Sequence, residues 1–189
     1  MEMITAEIAA GLLPPRRANG HKGDFGRVYV AAGAIGYTGA PVYAAEAACR
    51  TGSGLVFVGV PREVYPIVAA RCATAMAQPL PEEREVLLEQ MSRCDAAVIG
   101  PGLGRSPQAE ALTLFLLEKL PVPIILDADG INAAAAHIDV LRDRLWPTVV
   151  TPHEGEFLRL GGDLSPGREM AALAMARKLG CVVVLKGPG

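Results

Sequence analysis

Along the chain, short runs of β-branched and other apolar residues alternate with longer segments rich in alanine and leucine, and glycine-bearing turns separate the two. The short runs predict buried strands over Arg27–Ala32, Leu55–Val60, Asp95–Ile99, Ile124–Leu126, Thr148–Val150 and Cys181–Leu185. The longer segments predict helices over Ala40–Arg50, Glu63–Ala70, Glu82–Ser92, Gln108–Lys119, Glu154–Leu160 and Glu169–Leu179, with Ile131–Leu145 helical in pieces. Thr51-Gly52-Ser53-Gly54 ends the first helix, Pro61 closes the second strand, and the stretch between Ala70 and Glu82 reads as irregular. Strands that alternate with helices imply right-handed crossovers and a mainly parallel sheet with helices on both faces. Residues 1–20, including Leu12-Leu13-Pro14-Pro15-Arg16-Arg17, form an N-terminal lead-in rather than a domain.

Composition narrows this picture. A length of 189 residues suits one domain with a real core, and 51% hydrophobic with 20% charged residues is the balance of a soluble globular chain. A net charge of -2 gives no long-range attraction to nucleic acid or anionic lipid. The longest apolar runs, Ala31 to Ile35 and Val182 to Leu185, are too short to cross a bilayer. Met1 to Gly11 carries Glu2 and Glu7 and lacks the basic-then-apolar order of a cleavable signal. Cys49, Cys72, Cys94 and Cys181 are widely spaced and make no CxxC pair, which reads as reduced thiols in a cytoplasmic protein.

In an open α/β sheet, ligands bind outside the carboxyl ends of the strands. The residues that follow the predicted strands are therefore the ones to inspect. They are Gly33-Ala34-Ile35-Gly36-Tyr37-Thr38-Gly39-Ala40, Gly100-Pro101-Gly102-Leu103-Gly104-Arg105, Asp127-Ala128-Asp129-Gly130, Thr151-Pro152-His153-Glu154-Gly155-Glu156 and Lys186-Gly187-Pro188-Gly189. Each has a plain reading beside a functional one. The Gly100–Gly104 glycines make a tight turn or let a ligand reach backbone amides. Asp127 and Asp129 are a turn and a helix cap, or they organise Mg²⁺ through waters or bind a hydroxyl. His153 caps or packs, or faces a cleft, with Glu156 placed for an N-terminal capping arrangement. Lys186 is solvated, or it meets a phosphate beside Gly187. The phosphate-loop pattern Gly-x-x-x-x-Gly-Lys-Ser/Thr is absent, and the loop after Ile99 reads GxGxG rather than GxGxxG.

Several segments, in order, carry a resemblance. They are His21-Lys22-Gly23-Asp24-Phe25-Gly26-Arg27, Gly36-Tyr37-Thr38-Gly39-Ala40, Arg50-Thr51-Gly52-Ser53-Gly54 and Gly100-Pro101-Gly102-Leu103-Gly104, then Asp127-Ala128-Asp129-Gly130, Thr151 to Glu156 and Leu185-Lys186-Gly187. Together they resemble the ADP/ATP-dependent NAD(P)H-hydrate dehydratase family. That resemblance implies a ribokinase-like three-layer sandwich over residues 21–189, incomplete at its C-terminus. It implies ADP-dependent repair of hydrated NADH or NADPH, with ATP in place of ADP in eukaryotic members and Mg²⁺ as a further cofactor, by phosphorylation of the ring hydroxyl and elimination of phosphate. It places Ala40, Gly102, Gly104 and His153 on the substrate side and Lys186 and Gly187 at the nucleotide, with Asp127 and Asp129 supporting the cleft or its metal. The family's catalytic aspartate belongs to a Gly-Thr-Gly-Asp motif expected beyond Gly189, so no catalytic base is expected in this chain. Measurable turnover by the 189-residue chain would overturn that expectation. A homo-oligomer without nucleic-acid or membrane partners is expected. Two alternatives stay open: a small-molecule kinase of the same fold, against which the His21–Arg27 and Thr151–Glu156 motifs speak, and a non-catalytic nucleotide-binding remnant.

Overall fold

A computed structural model describes residues 3–188, so expectations that touch Met1, Glu2 and Gly189 lie outside the described residues. The chain begins with α1 (Ala6–Leu12) and a 3-10 turn at Lys22–Phe25, then β1 (Arg27–Ala31), α2 (Gly39–Arg50), β2 (Leu55–Val60) and α3 (Tyr65–Arg71). It continues through β3 (Met76–Pro79), α4 (Arg84–Ser92), β4 (Ala96–Ile99), α5 (Pro107–Lys119), β5 (Ile124–Leu126) and α6 (Asp129–Ala134). Then come α7 (Asp139–Arg142), β6 (Thr148–Val150), α8 (Glu154–Arg159), α9 (Arg168–Leu179) and β7 (Val182–Val183).

The strands form one seven-stranded sheet in the order β3-β2-β1-β4-β5-β6-β7, and every pair is parallel. Period-two alternation divides the core. Tyr29, Ala31, Ala97, Ile99, Ile124, Leu126 and Val150 face α4 to α9, whereas Val30, Ala32, Val56, Val58 and Val60 face α2 and α3. The helical cover on this second face stops short of the β5–β7 edge. Ile125 is 41% exposed there although its neighbour Ile124 is 1% exposed, and Val182 and Val184 are exposed as well. An all-parallel sheet is normally covered on both faces.

Three elements depart from the pattern-based reading. The irregular stretch after Ala70 contains β3, which has no β-branched residue and ends on Pro79. Pairing with β2 from Phe57↔Met76 to Val60↔Pro79 makes it a strand, and its edge position tolerates the proline. The lead-in contains α1, whose Thr5 side chain accepts from Ile8 N–H at 3.3 Å. The last strand is shorter than Cys181–Leu185, but the ladder goes on: Val184 N–H donates to Val150 O at 2.9 Å and Lys186 N–H to Pro152 O at 2.8 Å.

Two polar features hold the sheet. Tyr29 is buried beneath the sheet, and its hydroxyl accepts from Gln78 Nε2 at 2.9 Å. Burial pushes its pKa up to about 12. Arg144 donates to the carbonyls of Leu117, Leu120 and Val122 and, at 3.0 Å, to Thr148 Oγ1. It thereby satisfies orphan carbonyls at the end of α5 and ties them to β6. The four cysteines are free, and burial raises Cys72 and Cys94 and pushes Cys181 up to about 11.

Candidate functional site

The strand order reverses beside β1. From β1 the chain steps outward to β2 and β3, then returns to β4 on the other side and continues to β7. The helix after β1, α2, packs on one face, while the helix after β4, α5, packs on the opposite face. The two carboxyl ends therefore diverge, and a crevice opens between the loops that follow them.

Those loops are the two glycine-bearing segments. Gly33 N–H donates to Pro101 O at 3.0 Å and joins them. Gly102 has a φ of 61°, and a Cβ there would lie 2.9 Å from both Ala40 Cβ and Tyr37 Cβ. Glycine is thus required for this approach. Gly100 is more constrained still, since a Cβ would fall 2.1 Å from Asp127 O. Ala40 and Gly102 accordingly meet across the crevice, with Gly104 next to Ala34.

Asp127 and Asp129 divide into different roles. Asp129 Oδ2 accepts from Gly104 N–H at 2.9 Å, and its Oδ1 accepts from Arg105 Nε and Asn132 Nδ2, each at 3.3 Å. It fixes the glycine loop against α6. Asp127 Oδ1 accepts from Thr151 Oγ1 at 2.7 Å and Lys186 Nζ at 2.8 Å, which links the carboxyl ends of β5, β6 and β7. Between the two aspartates, Ala128 has a φ of 49°, the one positive φ of a non-glycine residue among the described residues. Such strain costs roughly 1–3 kcal/mol and clusters where surrounding contacts enforce it.

His153 and Glu156 form a reciprocal cap on α8. His153 Nδ1 accepts from Gly155 N–H at 2.9 Å, and Glu156 Oε2 accepts from His153 N–H at 2.9 Å. Glu156 is buried, whereas the His153 side chain is 54% exposed. Lys186 Nζ lies 4.0 Å from Glu156 Oε2. Gly187 follows against Arg168, which donates to Lys186 O at 2.6 Å and pairs with Glu154.

The sheet order thus brings Ala40, Gly102, Asp127, His153 and Lys186 onto the carboxyl ends of five consecutive strands, β1, β4, β5, β6 and β7. A cleft of about 540 Å³ runs from Asp127, Thr151 and Lys186 down the open second face of the sheet, past Ile125 and Val98 to Ala48 and Thr51. Chemically, the edge offers a cation for an anionic ligand and a carboxylate beside it. Among the described residues, no group of three or more His, Cys, Asp or Glu side chains gathers for a metal. Arg168, Arg105 and Asn132 were not legible as site supports. Arg105 and Arg168 meet partners distant in sequence, and Asn132, though it bonds Asp129 three residues before it, takes its second partner, Arg159, from α8.

The NAD(P)H-hydrate dehydratase family profile matches residues 28–189. The chain is 39% identical to the bifunctional NAD(P)H-hydrate repair enzyme of Moorella thermoacetica, over 98% of this chain and 37% of the relative. It is 33% identical to an ATP-dependent (S)-NAD(P)H-hydrate dehydratase of Pediculus humanus subsp. corporis, over 88% of this chain and 56% of that relative. The chain spans about a third of the length of the bifunctional relatives. Among solved structures, the ADP/ATP-dependent NAD(P)H-hydrate dehydratase from Bacillus subtilis, co-crystallised with ATP/Mg²⁺, superposes with a TM-score of 0.74 at 29% identity. That superposition covers 97% of this chain and 65% of the Bacillus chain. A ribokinase-like superfamily protein from Enterococcus faecalis V583 gives a TM-score of 0.83 at 27% identity, over 97% of this chain and 65% of that one. With the family profile matching most of the chain and the fold shared with such relatives, this chain belongs to the NAD(P)H-hydrate dehydratase family of ribokinase-like proteins.

Proposed function

We propose that the protein to which this chain belongs dehydrates hydrated NADH or NADPH at the expense of a nucleoside phosphate, in cytoplasmic metabolite repair. The observation that carries the reading is the close approach of Ala40 and Gly102 at the switch point, two strands from His153. Neighbouring strands lie about 4.8 Å apart, so the Gly102 and His153 loops are on the order of 10 Å apart, which suits a hydrated nicotinamide ring. Gly102 lets the two loops close on each other at the crevice, and Gly104, where a Cβ would meet only Ala34, leaves backbone open to the ring.

ADP or ATP with Mg²⁺ supplies the phosphoryl group that turns the ring hydroxyl, a poor leaving group, into a phosphate ester whose loss restores the ring's double bond. Lys186 and Gly187 fit the phosphate end: the ammonium offsets anionic charge, and the Arg168 guanidinium packs where a side chain at Gly187 would stand. Asp127 fits the role of holding a hydrated Mg²⁺. Its Oδ1 is taken by Thr151 and Lys186, while Oδ2 accepts no hydrogen bond among the described residues. Mg²⁺ characteristically uses one or two carboxylates plus waters and phosphates, so a large acidic cluster is not needed. Asp129 acts one step back, holding the glycine loop in place.

The test is to incubate the intact protein with NADPH hydrate, Mg²⁺ and either ADP or ATP, and to follow recovery of NADPH absorbance together with phosphate release. Stoichiometric recovery of both is expected. A stable phosphorylated alcohol without NADPH recovery would make the protein a small-molecule kinase instead.

A further inference from the structure

His153 has two ring nitrogens, and the cap on α8 uses one of them in a defined sense. Gly155 N–H and Glu156 N–H, at 2.9 and 3.4 Å, both point at Nδ1. Backbone amides can only donate, so Nδ1 must carry its lone pair. The proton of the neutral ring then sits on Nε2. Turning the ring over would set a C–H against these amides and orphan them, so the hydrogen bonding also settles the ring orientation.

Nε2 makes no hydrogen bond among the described residues. Its nearest charged atom is Glu156 Oε1 at 3.2 Å, out of line for a hydrogen bond, on a carboxyl group that is itself buried. A carboxylate beside Nε2 favours the proton at that nitrogen and disfavours a lone pair there. With no hydrogen-bond partner for Nε2 among the described residues and over half of the side chain exposed, that N–H is left to meet a ligand at the carboxyl end of β6.

Resting on the dehydratase reading above, we infer that His153 meets the substrate as a hydrogen-bond donor, its Nε2–H fixed by the α8 cap and directed at an acceptor oxygen of the hydrated nicotinamide. It does not remove a proton. Its nitrogen with a lone pair is occupied by the helix, and protonating Nδ1 would set three donors against one another. The acceptor is either the carboxamide carbonyl or the ring hydroxyl, and both present the same chemistry to an N–H. Glu156 is the positioning residue, holding the backbone of His153 through Oε2.

Two measurements test this. The first is the tautomer in the ligand-free protein, read from the ¹⁵N shifts of the His153 ring: a lone-pair Nδ1 and a protonated Nε2 are expected in the neutral ring. The second compares H153N and H153S. Both residues cap helices well, so α8 survives in each, but asparagine keeps an N–H further out toward the place of Nε2, whereas the serine O–H sits next to Cβ and falls short of it. H153N should bind NADH hydrate within about threefold of the native protein, and H153S about tenfold or more weaker, the usual worth of one hydrogen bond. If H153S weakens NADH and NADH hydrate alike, the acceptor is the carboxamide; if only the hydrate is weakened, it is the hydroxyl. A ring protonated on Nδ1, or equal hydrate binding by both variants, overturns the inference while the dehydratase reading stands. A native protein with the expected tautomer that binds no hydrate overturns the dehydratase reading, and with it the donor role.

Discussion

Ile124 and Ile125 are neighbours on β5, yet they should respond very differently to truncation. Ile124 is 1% exposed and packs into the core beneath α5 and α6, so Ile124→Ala leaves a cavity in a covered face. Such a change typically costs roughly 2–5 kcal/mol. Ile125 points to the other face and is 41% exposed. Ile125→Ala removes about three carbon groups' worth of burial, ~2.4 kcal/mol if they were fully covered at ~0.8 kcal/mol each. With two fifths of the residue already in water and no sealed cavity left behind, the cost falls to about 1 kcal/mol. Urea denaturation followed by circular dichroism separates the two, since the midpoint shifts at unchanged slope. Equal losses at both positions would refute the account of an open second face. It would mean that Ile125 is covered in solution, and the loss should then depend on protein concentration.

Three further outcomes follow from the same contacts. Tyr29 has its pKa raised by burial from 10.0 to about 12, so its contribution to stability is complete below pH 10 and lost as pH climbs through about 12. Two pKa units correspond to about 2–3 kcal/mol, so the native protein should lose roughly that much more stability than Tyr29→Phe over this window, measured by denaturant titration at each pH. Arg144→Lys cannot reproduce the fork that reaches Leu120, Val122 and Thr148, and should cost about 1–3 kcal/mol in the same titration with little rescue relative to Arg144→Ala. Ala128→Gly relieves a positive φ and should raise stability by about 1 kcal/mol in thermal unfolding; a loss of stability would contradict the strain at that position.

The alternation of strand and helix was legible because most elements carry their own signal. β2, β5 and β6 fall on the expected residues, and α2 and α9 start one residue early. β3 was not legible because Met76-Ala77-Gln78-Pro79 has no strand propensity of its own, and its pairing with β2 is a tertiary effect. The glycines after β1 and β4 were readable as turn or ligand loops, but the sequence could not say that Gly102 faces Ala40, which depends on strand order. His153 and Glu156 stand three apart, so their cap was readable. The bond from Asp129 to Gly104 and that from Lys186 to Asp127 span 25 and 59 residues and needed the fold.

The central claim is that the switch-point crevice takes the hydrated nicotinamide while the Lys186 end takes the nucleotide. Calorimetric titration of the native protein and of Ala40→Leu with NADH hydrate, and separately with ATP and Mg²⁺, tests it most directly. Leucine suits the first turn of α2, and a side chain larger than the Ala40 methyl group intrudes on the crevice beside Gly102. The account predicts hydrate binding weakened at least about tenfold and ATP binding unchanged, because filling a built pocket opposes only the ligand that occupies it. Undiminished hydrate binding by Ala40→Leu, with the native protein binding normally, would contradict it.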